Sequence, residues 1–282
     1  MLTGESLPGF PGISRYGLGT TGFWSGYHPG AARCIREAVE VYGLSVIDTA
    51  EMYGAGRSEA ALGEAVRGIP RDRLFITDKI LPGNVTEEGF RKSLLASLKR
   101  LGMAYIDLYL LHWRENADLK LLARAMEDAV REGLIRHWGV SNFDTDDLMD
   151  LLSVEYGDRC FCDQIFYSVY ERGIEKCLLP FMKDHGILPM AYSSLGSNYH
   201  PHPDIRQNRA VMDLCRKTGI APEAMMLRWV ADNGACALFG TSSVSHLRDD
   251  LKSVPDDAAE AFRKTVEREF PAPDRVYPLV KI

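Results

Sequence analysis

Several classes of function are excluded by what this chain does not contain. No apolar run reaches the roughly 18–20 residues that a membrane span needs, so no membrane partner is expected. No basic block interrupts a formal net charge of −6, which argues against nucleic acid as the main partner. The cysteines Cys34, Cys160, Cys162, Cys177, Cys215 and Cys236 follow neither CxxC nor zinc-ligand spacing. They read as small buried hydrophobes in a reducing compartment. The opening MLTGESLPGF lacks the layout of a signal peptide, and a cytoplasmic location is the resulting expectation. No GxSxG elbow and no cysteine–histidine arrangement points to acyl transfer. GLGTTG (17–22) is glycine-rich but does not spell GxGxxG, which weakens the case for a doubly wound dinucleotide fold.

What the chain does contain is hydrophobic material, 46% of it, distributed in a regular way. Eight short apolar runs recur: YGLGT (16–20), SVIDT (45–49), LFITDK (74–79), DLYLLH (107–112), WGVSN (138–142), FCDQIFY (161–167), ILPMAYS (187–193) and CALFGTS (236–242). Near-continuous apolar runs are the mark of strands buried on both faces. Amphipathic stretches lie between them. TEEGFRKSLLASLKRLG is expected to be capped by Thr86 and stopped by Gly102, LKLLARAMEDAVREG ends at Gly133, and Asp144 caps TDDLMDLL. Two helical patterns, the second opening on Pro222, precede the eighth strand, and one helix with a proline-rich tail follows it. Strand and helix alternating in this way predict an α/β fold, a single (β/α)8 TIM barrel over residues 1–282. It carries an extra helix before the eighth strand and a C-terminal helix plus tail.

Function in such barrels collects where the strands end, because the loops converge there. The sequence places Thr20, Asp48, Lys79, His112, Ser141 with Asn142, Gln164, Tyr192 with Ser193, and Thr241 with Ser242 at those ends. Tyr53 follows Asp48 in the next loop. Asp78, one residue from Lys79, is turned the other way by strand alternation and is read as structural. No metal site is expected, since Asp48 and His112 alone are too few ligands. The YHPHP run (Tyr199, His200, Pro201, His202, Pro203) is read as a solvent-exposed loop. A tyrosine beside a lysine that is tied to an aspartate is a proton-donor set. The ammonium is expected to lower the phenol from its free pKa of about 10 toward the working range. His112 is placed to hydrogen-bond a substrate oxygen. An oxygen that gains charge as it takes a proton is most simply that of a carbonyl under reduction by hydride, and hydride requires a cofactor.

At this point DTAEMYG, RSEAALG, TDK, LYLLHW, GVSNF, DQIFYS, AYSSLGS and GTSSVSHL together resemble the aldo-keto reductases, in order and from about residue 12 to 251. The resemblance implies an NAD(P)H-dependent reductase of aldehydes or ketones. In it Tyr53 is the general acid, Asp48 and Lys79 tune it, and His112 orients the carbonyl. It puts Ser141, Asn142 and Gln164 on the nicotinamide carboxamide and Tyr192 on its ring, with Thr20, Thr21 and Asp48 as further cofactor contacts. Ser193, Leu195, Gly196 and Ser197 would line the pyrophosphate. Gly240, Thr241, Ser242 and His246 would meet the adenosine phosphate, with Asp249 and Asp250 near the adenine. Many members carry lysine, arginine and asparagine where Gly240, His246 and Asp250 stand. NADPH is the cofactor that the resemblance implies, and these departures, which remove the cations a 2′-phosphate prefers, leave NADH or dual use open. Trp24 and Trp113 are the aromatic candidates for substrate-pocket walls. A monomer or weak homo-oligomer acting on a small carbonyl compound is the expected form. Two other readings compete: a nucleotide-binding regulatory or assembly subunit with little turnover, and a barrel enzyme for phosphorylated substrates that uses residues 241–243.

Overall fold

The computed structural model describes residues 5–197 and 202–281. Its strands are β1 (Ser6–Leu7), β2 (Phe10–Ser14), β3 (Tyr16–Gly19), β4 (Val46–Asp48), β5 (Phe75–Ile80), β6 (Ile106–Leu111), β7 (Ile135–Ser141), β8 (Cys162–Phe166), β9 (Leu188–Tyr192) and β10 (Cys236–Phe239). β3 through β10 pair in parallel, each with its neighbour in sequence, and β10 closes on β3 to complete an eight-stranded barrel. The helices are α1 (Pro29–Glu40), α2 (Arg57–Ala65), α3 (Gly89–Leu101), α4 (Leu119–Arg131), α5 (Thr145–Leu152), α6 (Leu178–Asp184), α7 (Arg209–Thr218), α8 (Pro222–Asp232), α9 (Val244–Asp250) and α10 (Asp256–Glu269). The expected extra helix is present, as α7 and α8 both lie between β9 and β10. No helix among the described residues is long and apolar enough to cross a membrane.

Two hydrophobic layers follow from strand alternation. Ile76, Ile80, Tyr109, Leu111 and Ile165 belong to the layer between barrel and helices. Val46, Leu108, Leu110, Cys162, Leu188, Met190, Cys236 and Leu238 form a separate cluster inside the barrel. Every second residue of a strand shares a face. Asp48 therefore continues the interior line of Val46, His112 that of Leu110, Gln164 that of Cys162, and Tyr192 that of Met190. This parity delivers polar side chains to the open end of an otherwise apolar core.

The opposite end is closed by a feature absent from the sequence reading, the antiparallel β1–β2 hairpin. Its Leu7 and Ile13 join the interior cluster. Helix starts largely follow their capping chemistry. Asp144 forms a reciprocal capping box with Asp147 at α5, and Pro222 occupies the first turn of α8. α3 begins at Gly89, and Thr86 Oγ1 accepts the Gly89 N–H at 3.0 Å, the capping bond expected of it.

Candidate active site

A cavity of about 750 Å³ opens at the strand ends. Asp48, Tyr53, His112, Ser141, Asn142, Gln164, Tyr192, Ser193, Leu195, Gly196 and Ser197 line it, together with Thr21, Trp24 and Gly240. Gly19, Ser194, Leu238 and Phe239 complete the wall. Leu238 and Phe239 escaped notice because an apolar strand end carries no chemical signal.

One corner is tightly tied. The Lys79 ammonium is fully buried and donates to both carboxylate oxygens of Asp48 at 2.7 Å and to the Thr49 carbonyl at 3.0 Å. Its remaining contact is the Tyr53 hydroxyl at 3.4 Å. Gln164 Nε2 donates to Asp48 Oδ1 at 2.7 Å, so the carboxylate is held from a third strand. Asp48, Lys79 and Gln164 thus meet from β4, β5 and β8, as their interior parity dictates. Tyr53 enters from the loop between β4 and α2, a loop that turns through left-handed backbone at Gly54, Ala55 and Gly56.

The phenol does not behave as the sequence suggested. Its pKa is raised from the ordinary tyrosine value: burial is the largest cause, Lys79 opposes it, and the Asp48 carboxylate adds to it. The expected lowering fails because Asp48 offsets the ammonium's charge, leaving burial to decide. Lys79 itself is raised, since the pull of Asp48 and Tyr53 outweighs its own desolvation. Tyr53 is therefore a neutral hydroxyl beside a fixed cation.

His112 faces Tyr53 edge-on, with ring centroids 5.8 Å apart. Burial, and then the Lys79 charge, lower its pKa to about 2, so the imidazole is neutral at ordinary pH. Its Nδ1 is buried without a partner among the described residues. Trp113 does not line the cavity. It lies just past the end of β6 and stacks flat on the His112 ring, with centroids 3.9 Å apart. Trp24 does line it, tilted over Tyr53 at 5.9 Å and half exposed. Thr20 is buried behind the wall, bonded through its hydroxyl to Thr49.

The opposite wall is self-paired. Ser141 Oγ donates to the Gln164 carbonyl at 2.8 Å. Asn142 Nδ2 donates to the His112 carbonyl and to Ser141 Oγ, both at 3.1 Å, while its Oδ1 accepts the Tyr192 hydroxyl at 2.7 Å. Asn142 and Ser193 both sit at positive φ, 63° and 52°. Backbone strain of this kind is concentrated at functional sites.

Of the residues expected at the far end, Gly240 lines the cavity, and Thr241, Ser242, His246, Asp249 and Asp250 do not. Thr241 Oγ1 accepts the Ser243 N–H, and Ser243 caps α9, so these hydroxyls serve the local turn. Ser242, His246 and Asp249 are exposed on or beside α9. Asp250 is buried, and burial first, then Glu223, raises its carboxyl to about 6. Tyr199, His200 and Pro201 lie outside the described residues. His202 stacks on Tyr170 at 3.8 Å. No cluster suited to a metal ion occurs among the described residues.

The Aldo/keto reductase family model matches residues 16–265. The chain is 32% identical to methylglyoxal reductase YeaE of Escherichia coli over 240 residues, covering 85% of this chain and 84% of that protein. It is 31% identical over 211 residues to an NADH-specific methylglyoxal reductase of the same organism, covering 65% of this chain and 64% of that protein. Among solved structures, it is similar to an aldo/keto reductase from Klebsiella pneumoniae in complex with NADP and acetate, with a TM-score of 0.88, 32% identity and 96% of both chains covered.

Proposed function

The chain belongs to the aldo/keto reductase family and is an NAD(P)H-dependent oxidoreductase, and we propose that Tyr53 is the proton donor with which it reduces aldehydes or ketones to alcohols. The observation that carries this reading is the Tyr53 hydroxyl standing 3.4 Å from a buried ammonium at the wall of a cavity of about 750 Å³ at the strand ends. The wall residues suit a nicotinamide dinucleotide. Ser141, Asn142 and Gln164 offer amide and hydroxyl groups for a carboxamide, and Tyr192 offers a flat ring. The 193–197 segment offers hydroxyl and backbone N–H groups for phosphates. Bound there, the coenzyme supplies hydride to the carbonyl carbon.

The protein's own share is proton transfer and orientation. As the carbonyl oxygen gains charge it becomes a stronger base than phenolate, so a phenol with a raised pKa still gives up its proton readily. The phenolate left behind gains a cation at hydrogen-bonding distance, an interaction stronger in the product of transfer than before it. Asp48 and the Thr49 carbonyl keep the ammonium aimed. His112, neutral throughout, is placed to hold the same oxygen without competing for its proton. Small oxo-aldehydes are natural first substrates, given the methylglyoxal reductases among the relatives. NADPH is the proposed coenzyme, and NADH is kept beside it because one relative is NADH-specific.

The test is to follow reduced nicotinamide absorbance with methylglyoxal or a nitrobenzaldehyde. Turnover is expected in the parent protein and a loss of at least about 10²-fold in Tyr53→Phe, with coenzyme binding retained. Binding without turnover in the parent would instead support a regulatory subunit.

A further inference from the structure

Back to back with Lys79, on the outer face of β5, the molecule buries a second charged group. Asp78 on β5 and Glu59 on α2 are both fully buried. The Arg100 guanidinium of α3 grips Glu59 twice, Nε to Oε2 at 2.6 Å and NH2 to Oε1 at 3.0 Å, and also reaches Ser97 Oγ at 3.0 Å. Asp78 Oδ1 accepts the backbone N–H of Lys79 at 2.8 Å. Asp78 Oδ2 is buried and finds no donor among the described residues, and the Asp78 and Glu59 carboxyls act on each other electrostatically.

Two carboxylates in a dry contact cannot both ionise. A proton on Asp78 Oδ2 converts the clash into a donated bond and leaves one anion for one guanidinium. Burial and the Glu59 charge both raise the Asp78 carboxyl, in keeping with this. The other titratable groups facing the pair are Lys79, Glu51 and Tyr109. Glu51 is occupied by the Leu81 N–H, Asn84 and Ser93.

The cluster lies where it can set the geometry of the site. After Tyr53 the chain holds three successive left-handed residues, Gly54, Ala55 and Gly56, at φ 60°, 54° and 86°. Ala55 is strained there, so the turn needs support from outside itself. Gly56 is packed against Arg100, whose Cδ lies 2.6 Å from where a Cβ would stand. Glu59 is three residues further on. The same pair of carboxyls therefore links the turn bearing Tyr53 to the strand position beside Lys79.

We propose that Asp78, Glu59 and Arg100 form a positioning cluster, with one proton shared between the two carboxyls, that fixes the separation of Tyr53 from Lys79. The proposal rests on the reading of Tyr53 as proton donor. Infrared difference spectra of wild type against Asp78→Asn, with carboxyl-labelled aspartate at neutral pH, should show a carboxylic-acid C=O band present only in the wild type. Asp78→Asn donates an amide N–H to Glu59 in place of the proton and should keep kcat within about twofold. Asp78→Leu should lose roughly ten- to hundredfold in kcat at unchanged coenzyme Kd by fluorescence titration. A missing acid band overturns the proposal, as do Asn and Leu variants equally impaired or a loss shared by kcat and coenzyme affinity. Should Asp78→Leu fail to fold, the infrared band and the Asp78→Asn rate decide alone. Silent Asp78 variants beside an inactive Tyr53→Phe would remove the cluster's role and leave the proton donor standing.

Discussion

At the Asp48–Lys79 corner three strands hold a buried ion pair by four short contacts. Across the cavity, Asn142 holds a left-handed backbone and spends both ends of its amide on neighbours. The corner needs nothing from a ligand to reach its geometry. The donor hydrogens of Ser141 and Asn142 are already committed, so a ligand acceptor at this wall has to displace a bond it makes. A barrel with eight converging loops can therefore divide its labour, keeping charge where the strands are rigid and adaptable amides where the loops begin.

The sharpest way to break this contrast is to remove the cation. In Lys79→Met the Asp48 carboxylate keeps only Gln164 as a side-chain partner while remaining buried. Breaking a buried pair on one side should cost about 3–5 kcal/mol of stability, with turnover falling as well. Chemical denaturation measures this. A loss under about 1 kcal/mol would mean that the corner relaxes or admits water and is no more rigid than the wall.

Acid should reveal the corner through His112. Its folded pKa, about 2, lies below the ordinary 6.5, so across that window the unfolded chain binds more protons and stability rises with pH. Falling pH should then remove up to about 1.4 kcal/mol per unit below about 6.5. Denaturation midpoints at pH 7, 6 and 5 should fall less steeply in His112→Gln. The reduction rate should behave differently. Tyr53 is raised and stays protonated beyond the ordinary tyrosine range, and neutral His112 contributes no inflection between pH 5 and 8. An acidic limb near 6.5 that vanishes in His112→Gln would show an imidazole far less desolvated than its burial implies.

The corner was legible in the sequence and much of the wall's behaviour was not. Strands buried on both faces must be apolar throughout, which is why all eight barrel strands stood out as runs, and why Asp48, Lys79 and His112 stood out against them. The β1–β2 hairpin left little trace because FPGIS alternates weakly and, within that strand, only Ile13 is a buried member of the interior cluster. The raised phenol was hidden because it depends on burial and on Asp48 offsetting Lys79, both set by tertiary contacts. The local bonds of Thr241 Oγ1 to the Ser243 N–H and of Ser243 to the start of α9 carry no sign in the sequence, because they depend on how the turn before α9 closes.

The finest test compares two hydroxyl deletions. Tyr192→Phe removes the bond to Asn142 Oδ1 and keeps the ring stacked on Phe166, now 5.7 Å away. In the free variant that amide oxygen lacks its donor, a cost that an incoming carboxamide N–H would relieve. A bond worth about 1 kcal/mol no longer has to be exchanged, so coenzyme affinity should rise roughly two- to fivefold, read by fluorescence titration. Tyr53→Phe makes the same chemical change at the corner and should leave affinity alone while abolishing turnover. Were Tyr192→Phe to weaken binding instead, the Tyr192–Asn142 bond would be one the bound state keeps. The wall would then be as preformed as the corner, its left-handed residues holding a finished site.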